Sequence, residues 1–203
     1  MKYIKSDPED PRWHRTIPHP WCVDVANPFV QILFLFKDKI PSLLNINKAI
    51  ETGTYEGWTS EFLAIQFKEV FTVEKYVKGN IYNRDINLLE NYKILKQNHP
   101  NINFYEGDSP IFLKNILSQN PNEQFFILLD AHTSESPVIE ELKSIKNFSN
   151  RKDHVIIIDD TFDAGTPGWP TQIEMETALL DINKNYNIEY TQYGRRVAVI
   201  YEN

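Results

Sequence analysis

The apolar run at 48–52 goes straight into Gly53-Thr54-Tyr55-Glu56-Gly57, and a second run at 70–73 stops on an acid, Glu74. Strand, glycine turn, helix, strand and carboxylate make the first half of a nucleotide-binding βαβ unit. The turn glycines let backbone approach a ligand closely, and the acid can grip the two hydroxyls of a ribose. The glycine spacing argues against a dinucleotide. A pyrophosphate cradle wants G-x-G-x-x-G with the middle glycine leaving room for phosphate, whereas here only Gly53 and Gly57 are present and Tyr55 fills the middle. Glu51, just before the turn, would repel a phosphate and suits a cationic ligand.

Regular alternation continues downstream. Strands are expected over 48–52, 69–74, 102–106, 125–129 and 155–158, with helices over 57–67, 81–97, 109–119, 137–148 and 169–186. Continuous apolar strands between helices imply a mostly parallel sheet covered on both faces. The end breaks the pattern: 188–193 and 196–201 are two strands around a tight turn at Gly194-Arg195, an antiparallel hairpin. The expected fold class is α/β, a Rossmann-like seven-stranded sheet with a C-terminal antiparallel hairpin.

Ligands of an open parallel sheet bind beyond the carboxyl ends of its strands. There the chain places Glu51, Thr52, Gly53 and Tyr55, then Glu74, then Glu106-Gly107-Asp108-Ser109, then Asp130-Ala131-His132-Thr133, then Asp159-Asp160-Thr161. Five strand ends each bring an acid to one edge, although strand-end acids also serve as ordinary caps. Three of these carboxylates, Asp130, Asp159 and Asp160, would repel one another strongly unless a cation sits between them. Hard oxygen ligands select Mg²⁺ or Ca²⁺ over zinc.

On these residues the chain resembles the class I S-adenosylmethionine (SAM)-dependent methyltransferases. Their first motif is an acid followed by a glycine turn, matched by Glu51 through Gly57, and their second strand ends in a ribose-binding acid, matched by Glu74. Gly107-Asp108-Ser109 resembles the family's third motif, in which the Asp takes the adenine amino group. The resemblance implies that Glu51, Thr52, Gly53, Tyr55, Gly57, Glu74, Asp108 and Ser109 hold SAM. The seven-stranded sheet of that family also closes with a hairpin. Asp130, Asp159 and Asp160 resemble the Mg²⁺ ligands of the metal-dependent O-methyltransferases, both the catechol and the macrolide-sugar types. The run Asp130 to Pro137 is similar to the sugar-type motif, with His132 in place of its second acid and Ser134 in place of its tyrosine. The strings 129–132, 140–142 and 158–160 also resemble bacterial and phage methyltransferase-like proteins.

By this resemblance the chain is expected to methylate a small hydroxylated acceptor with divalent-metal assistance. Asp130 and His132 are the catalytic candidates. A neutral imidazole can take the acceptor proton near pH 7, and Glu135 is a second candidate base. Trp58, Trp169 and Tyr193 are read as core or acceptor-pocket aromatics, and 163–169 as a mobile loop over the site. Arg195 and Arg196 are read as hairpin-tip residues. His14, His19, His99 and His154 are read as surface or arm residues.

Composition narrows the partners. With 203 residues and 41% hydrophobic content the chain suffices for one domain with a full core. A net charge of -7 argues against nucleic acid. One cysteine, Cys22, fits a reducing compartment. Residues 1–7 hold no signal-type apolar segment and no run is long enough to span a bilayer, so a cytoplasmic protein without a membrane partner is expected. Residues 1–45 are assigned to an N-terminal arm and covering helix, and 46–203 to the methyltransferase-like domain. The arm, rich in proline and tryptophan up to residue 28, is either packed across the domain or serves as a lid or homodimer contact. Two other readings stand beside the enzyme: a non-catalytic SAM- or nucleotide-binding module, and a metal-dependent hydroxylase or glycosyltransferase-like enzyme on a related fold.

Overall fold

The computed structural model describes residues 39–75, 78–81, 84–131, 136–191 and 197–202. The arm expected over 1–28, and the helix expected over 28–44 as far as residue 38, lie outside them. Pro41–Asn45 is a 3₁₀ turn with Pro41 in its first turn, and Ile40 and Leu43 are buried in the core. The α-helices are α1 (Trp58–Gln66), α2 (Leu88–Asn98), α3 (Ser109–Gln119), α4 (Val138–Phe148) and α5 (Gln172–Ile182). The strands are β1 (Lys48–Thr52), β2 (Glu69–Glu74), β3 (Lys78–Ile81), β4 (Arg84–Asn87), β5 (Ile102–Glu106), β6 (Phe125–Leu129), β7 (Val155–Ile158), β8 (Asn187–Thr191) and β9 (Val197–Tyr201). Seven of them form one sheet in the order β5-β2-β1-β6-β7-β9-β8. Pairing is parallel from β5 through β7 and antiparallel at β9 and β8. This is the expected α/β sheet with its closing hairpin.

Strand periodicity sorts the core into two layers, because successive side chains point to opposite faces. Ala49, Val70, Phe126, Leu128, Val155 and Ile157 pack with Phe62 and Leu63 of α1 and Leu95 of α2. Ile50, Phe71, Ile127, Leu129, Ile156 and Ile158 pack with Leu113 of α3, Leu142 of α4 and Leu179 of α5. Burial on both faces explains why β6 and β7 read as unbroken apolar runs.

Register brings the strand ends into line. Thr52 of β1 pairs with Val73 of β2 and Leu129 of β6, and Leu129 pairs with Ile158 of β7. The ladder then runs one residue further: Gly53 N–H donates to Val73 O at 2.9 Å, Asp130 N–H to Thr52 O at 3.1 Å, and Asp159 N–H to Leu129 O at 3.1 Å. Gly53, Asp130 and Asp159 therefore stand side by side at the carboxyl edge.

One element differs from expectation. The helix expected over 81–97 begins only at Leu88, preceded by the antiparallel ribbon β3–β4, with Lys78 opposite Asn87 and Ile81 opposite Arg84. The sequence of this stretch is rich in Asn and Asp, residue types of low helix propensity. The last helix is also shorter than 169–186. A capping box between Thr171 and Glu174 sets its start. Among the described residues, no helix is long and apolar enough to cross a membrane.

His154, expected at the surface, is fully buried. Its Nδ1 accepts the Phe125 N–H at 3.1 Å, so the ring's other nitrogen carries the proton, 2.9 Å from Ser149 Oγ. Burial lowers its pKa from 6.5 to about 4, against the partial pull of Asp153. The folded state thus holds His154 neutral, while the unfolded chain takes up a proton below pH 6.5. Its contribution is complete above 6.5 and declines as pH falls toward 4. Glu51 and Glu141, both raised to about 7, act in the opposite sense, so the informative quantity is a difference. His154→Asn should lower stability at pH 7.5, and its deficit against wild type should shrink by about 2 kcal/mol at pH 5. Urea denaturation of both proteins at the two pH values checks this.

Candidate functional site

The glycine turn is built by close backbone approach. Gly53 has φ +85°, and a Cβ there would lie 2.7 Å from the Asp130 carbonyl carbon and closer still to its oxygen. Gly57, at φ +84°, precedes α1, and a Cβ there would collide with Leu95 Cδ1. Between them Tyr55 sits at φ +43°, a conformation rare for a bulky residue. Two hydrogen bonds hold it. Tyr55 N–H donates to Glu74 Oε2 at 2.8 Å, and the Tyr92 hydroxyl donates to Tyr55 O at 2.8 Å. Tyr92 is itself stacked on Phe104, with ring centres 4.6 Å apart.

Glu51 lies beneath this turn, only 1% exposed. Its Oε2 accepts the hydroxyls of Ser60 on α1 and, at 2.6 Å, Thr72 on β2, and Thr72 is 2.5 Å from Thr54 Oγ1. Burial raises the Glu51 pKa to about 7, opposed by the Ser60 and Thr72 hydrogen bonds and aided by the charge of Glu74. Glu51 supports the turn from below.

Asp108 occupies the N-cap position of α3 without making a side-chain cap bond. Its carboxylate instead pairs with Lys75 Nζ at 2.7 Å, both side chains about half exposed. Ser109, the next residue, is buried. Thr52 is wholly buried, and its Oγ1 accepts the Asp130 N–H at 3.1 Å.

Asp130, Asp159 and Asp160 do converge: one carboxylate oxygen from each lies within 4.8 Å of the others. Asp160 follows β7 in a left-handed conformation, φ +53°, that starts the 3₁₀ turn Thr161–Asp163. This reversal turns two consecutive acids toward one place. The donor set is three carboxyl groups, all oxygen, which fits a hard divalent cation. His132, Ser134, Glu135, Tyr193, Arg195 and Arg196 fall outside the described residues.

The remaining expectations resolve individually. Trp58 donates from Nε1 to Glu56 Oε2 at 3.0 Å. The 163–169 loop is held by its own bonds, among them Gly165 N–H to Pro170 O at 3.0 Å and Trp169 N–H to Thr166 O at 2.9 Å. Ser136 N–H ties it to the segment after β6, donating to Gly168 O at 2.9 Å. His99 is part-buried, 3.3 Å from Glu61. Sequence reasoning missed Ser60, Thr72, Tyr92 and Lys75. Thr72 alone carried a signal, as a hydroxyl within the otherwise apolar run 70–73.

The fold has counterparts among solved structures. SAH-bound Podospora anserina methyltransferase PaMTH1 superposes with a TM-score of 0.57 at 11% identity, over 95% of this chain and 85% of that one. The calicheamicin enzyme CalS11, TDP-rhamnose 3'-O-methyltransferase, gives 0.59 at 13% identity, over 98% and 96%. The methyltransferase domain of bacterial CtHen1 gives 0.52 at 16% identity, over 86% and 100%. The chain shares its fold with these methyltransferases. No family profile matches the chain, and no curated protein sequence does.

The two turn glycines should differ in tolerance. Gly53→Ala meets rigid backbone as well as an unfavourable φ, and should destabilise by about 3 kcal/mol or more. Gly57→Ala meets the movable end of Leu95 and should cost about half that. Thermal melts of the two variants would show the larger drop at Gly53.

Proposed function

We propose that this protein is a SAM-dependent methyltransferase that transfers the methyl group to the hydroxyl of a small acceptor, with a divalent cation, Mg²⁺ or Ca²⁺, held by Asp130, Asp159 and Asp160. The observation that carries the reading is the convergence of those three acids beside a glycine turn whose Tyr55 N–H is committed to the Glu74 carboxylate. The fold shared with an SAH-bound methyltransferase supports the cofactor.

Each residue then has a task. The Gly53–Gly57 turn receives the amino-acid end of SAM, and Glu74, already fixed by the Tyr55 N–H, takes the ribose hydroxyls. Asp108 exchanges Lys75 for the adenine amino group. An exposed pair of this kind contributes at most about 1 kcal/mol, so the exchange costs little. Thr52 holds the Asp130 backbone, and Ser109 opens the helix behind the adenine. A bound Mg²⁺ would lower the pKa of the acceptor hydroxyl and fix its oxygen. His132 follows Asp130 by two residues and takes the acceptor proton. The acceptor oxygen displaces the sulfur at the methyl carbon, so orienting the two reactants supplies much of the acceleration.

A thermal-shift titration with SAH, with and without Mg²⁺ and with NAD and a UDP-sugar as controls, tests the cofactor. Ligand at a hundredfold its dissociation constant should stabilise the protein by about 2.7 kcal/mol, a rise of roughly 5–10 °C for a chain of this size. A larger shift with NAD or the UDP-sugar would overturn the assignment. Glu74→Ala should weaken SAH binding by at least tenfold. Asp160→Ala should abolish turnover while sparing SAH, and full turnover of that variant in chelator would remove the metal from the proposal.

A further inference from the structure

Glu141 is a carboxyl that the reaction outlined above does not use. It lies on α4, is 0% exposed, and neither of its oxygens has a hydrogen-bond partner among the described residues. A buried acid left in this way is costly, so its retention calls for a reason. The groups that favour its charged form are the hydroxyls of Ser109 and Thr52, while burial raises its pKa to about 7.

Those two hydroxyls belong to opposite halves of the cofactor site. Thr52 ends β1, leads into Gly53, and accepts the Asp130 N–H on its Oγ1. Ser109 opens α3 directly after Asp108. α3 and α4 pack side by side, and Ser144, one turn along from Glu141, donates to Pro110 O at 3.1 Å. The start of α3 is thus already tethered to the helix that carries Glu141.

We infer that Glu141 is a positioning residue that spaces the adenine side of the site from the methyl-transfer side. Its carboxylate accepts hydrogen bonds from the hydroxyls of Thr52 and Ser109, through a small side-chain rotation or one enclosed water. Thr52 then directs a lone pair to the Asp130 N–H, and the first turn of α3 is pinned at one distance from Asp130. A hydroxyl that donates to Glu141 is polarised as an acceptor, so the chain from Asp130 N–H through Thr52 to Glu141 is stronger than its separate bonds. This role rests on the SAM reading of the site.

The experiment is calorimetric titration of SAH into wild type, Glu141→Gln, Ser109→Ala and the double variant, with urea stability measured for each. Ile145→Val, a buried change on the same helix, controls for loss of stability alone. Glutamine keeps the size of the side chain but replaces one carboxylate oxygen with an amide nitrogen that cannot accept, so a hydroxyl facing that side loses its acceptor. The expected result is SAH binding about tenfold weaker in Glu141→Gln, with Ser109→Ala adding less than twofold in that background although it costs several-fold alone. Ile145→Val should leave SAH affinity within twofold of wild type. Glu141→Gln binding SAH as tightly as wild type, or additive effects in the double variant, would overturn the positioning role while the cofactor reading stands. Wild type failing to bind SAH would overturn both.

Discussion

The site depends on one backbone contact, the approach of Gly53 to the Asp130 carbonyl. β1 and β6 are neighbours in the sheet, and the chain leaves β1 over the end of β6 so closely that no side chain fits between. This is where the strand order reverses direction, and in such sheets the crevice at that point is where ligands bind. Because the register is parallel and in step, the contact fixes more than the turn. It brings Asp130 level with Asp159, one strand further on, and so sets the acidic cluster at a defined distance from the glycine turn.

Two buried acids brace this arrangement from opposite faces. Glu51 and Thr52 are consecutive in β1 and therefore point to opposite sides of the sheet. Glu51 faces α1, and Ser60 of that helix and Thr72 of β2 serve it. Thr52 faces the other layer, where Glu141 stands on α4. Burial raises both carboxyls to about 7, so each is near the balance between its charged and neutral forms at neutral pH. A cation placed above the turn would favour the charged form of either.

The strands and their order of acids were legible because burial on both faces leaves unbroken apolar runs, as at 125–129, that end abruptly on a carboxylate. The closing hairpin was legible from Gly194 between two alternating runs. What sequence could not supply was the partner of each polar group. The acid at 51 was visible, but its partners lie 9 and 21 residues away and depend on how α1 is rotated over the sheet. Asp108 read first as an adenine ligand and otherwise as a helix cap, and the structure pairs it with Lys75. His154 follows Arg151, Lys152 and Asp153, a polar setting that hides its burial. The ribbon at 78–87 was missed because Asn-rich segments carry little periodicity of either kind.

Tyr55 shows most directly how this turn differs from a pyrophosphate cradle. In a pyrophosphate cradle the backbone N–H groups of the glycine turn face the anion. Here the Tyr55 N–H is already bound by the Glu74 carboxylate and its carbonyl by the Tyr92 hydroxyl. Those two bonds offset the strain of a positive φ at a bulky residue, which is why the position tolerates tyrosine. A diphosphate would have to displace one carboxylate, Glu74, above another, Glu51, and would meet repulsion from both. A ligand with a cationic centre and a ribose meets attraction at the same two places. Tyr55 in the middle position therefore does more than close space: its backbone donor is committed to an acid.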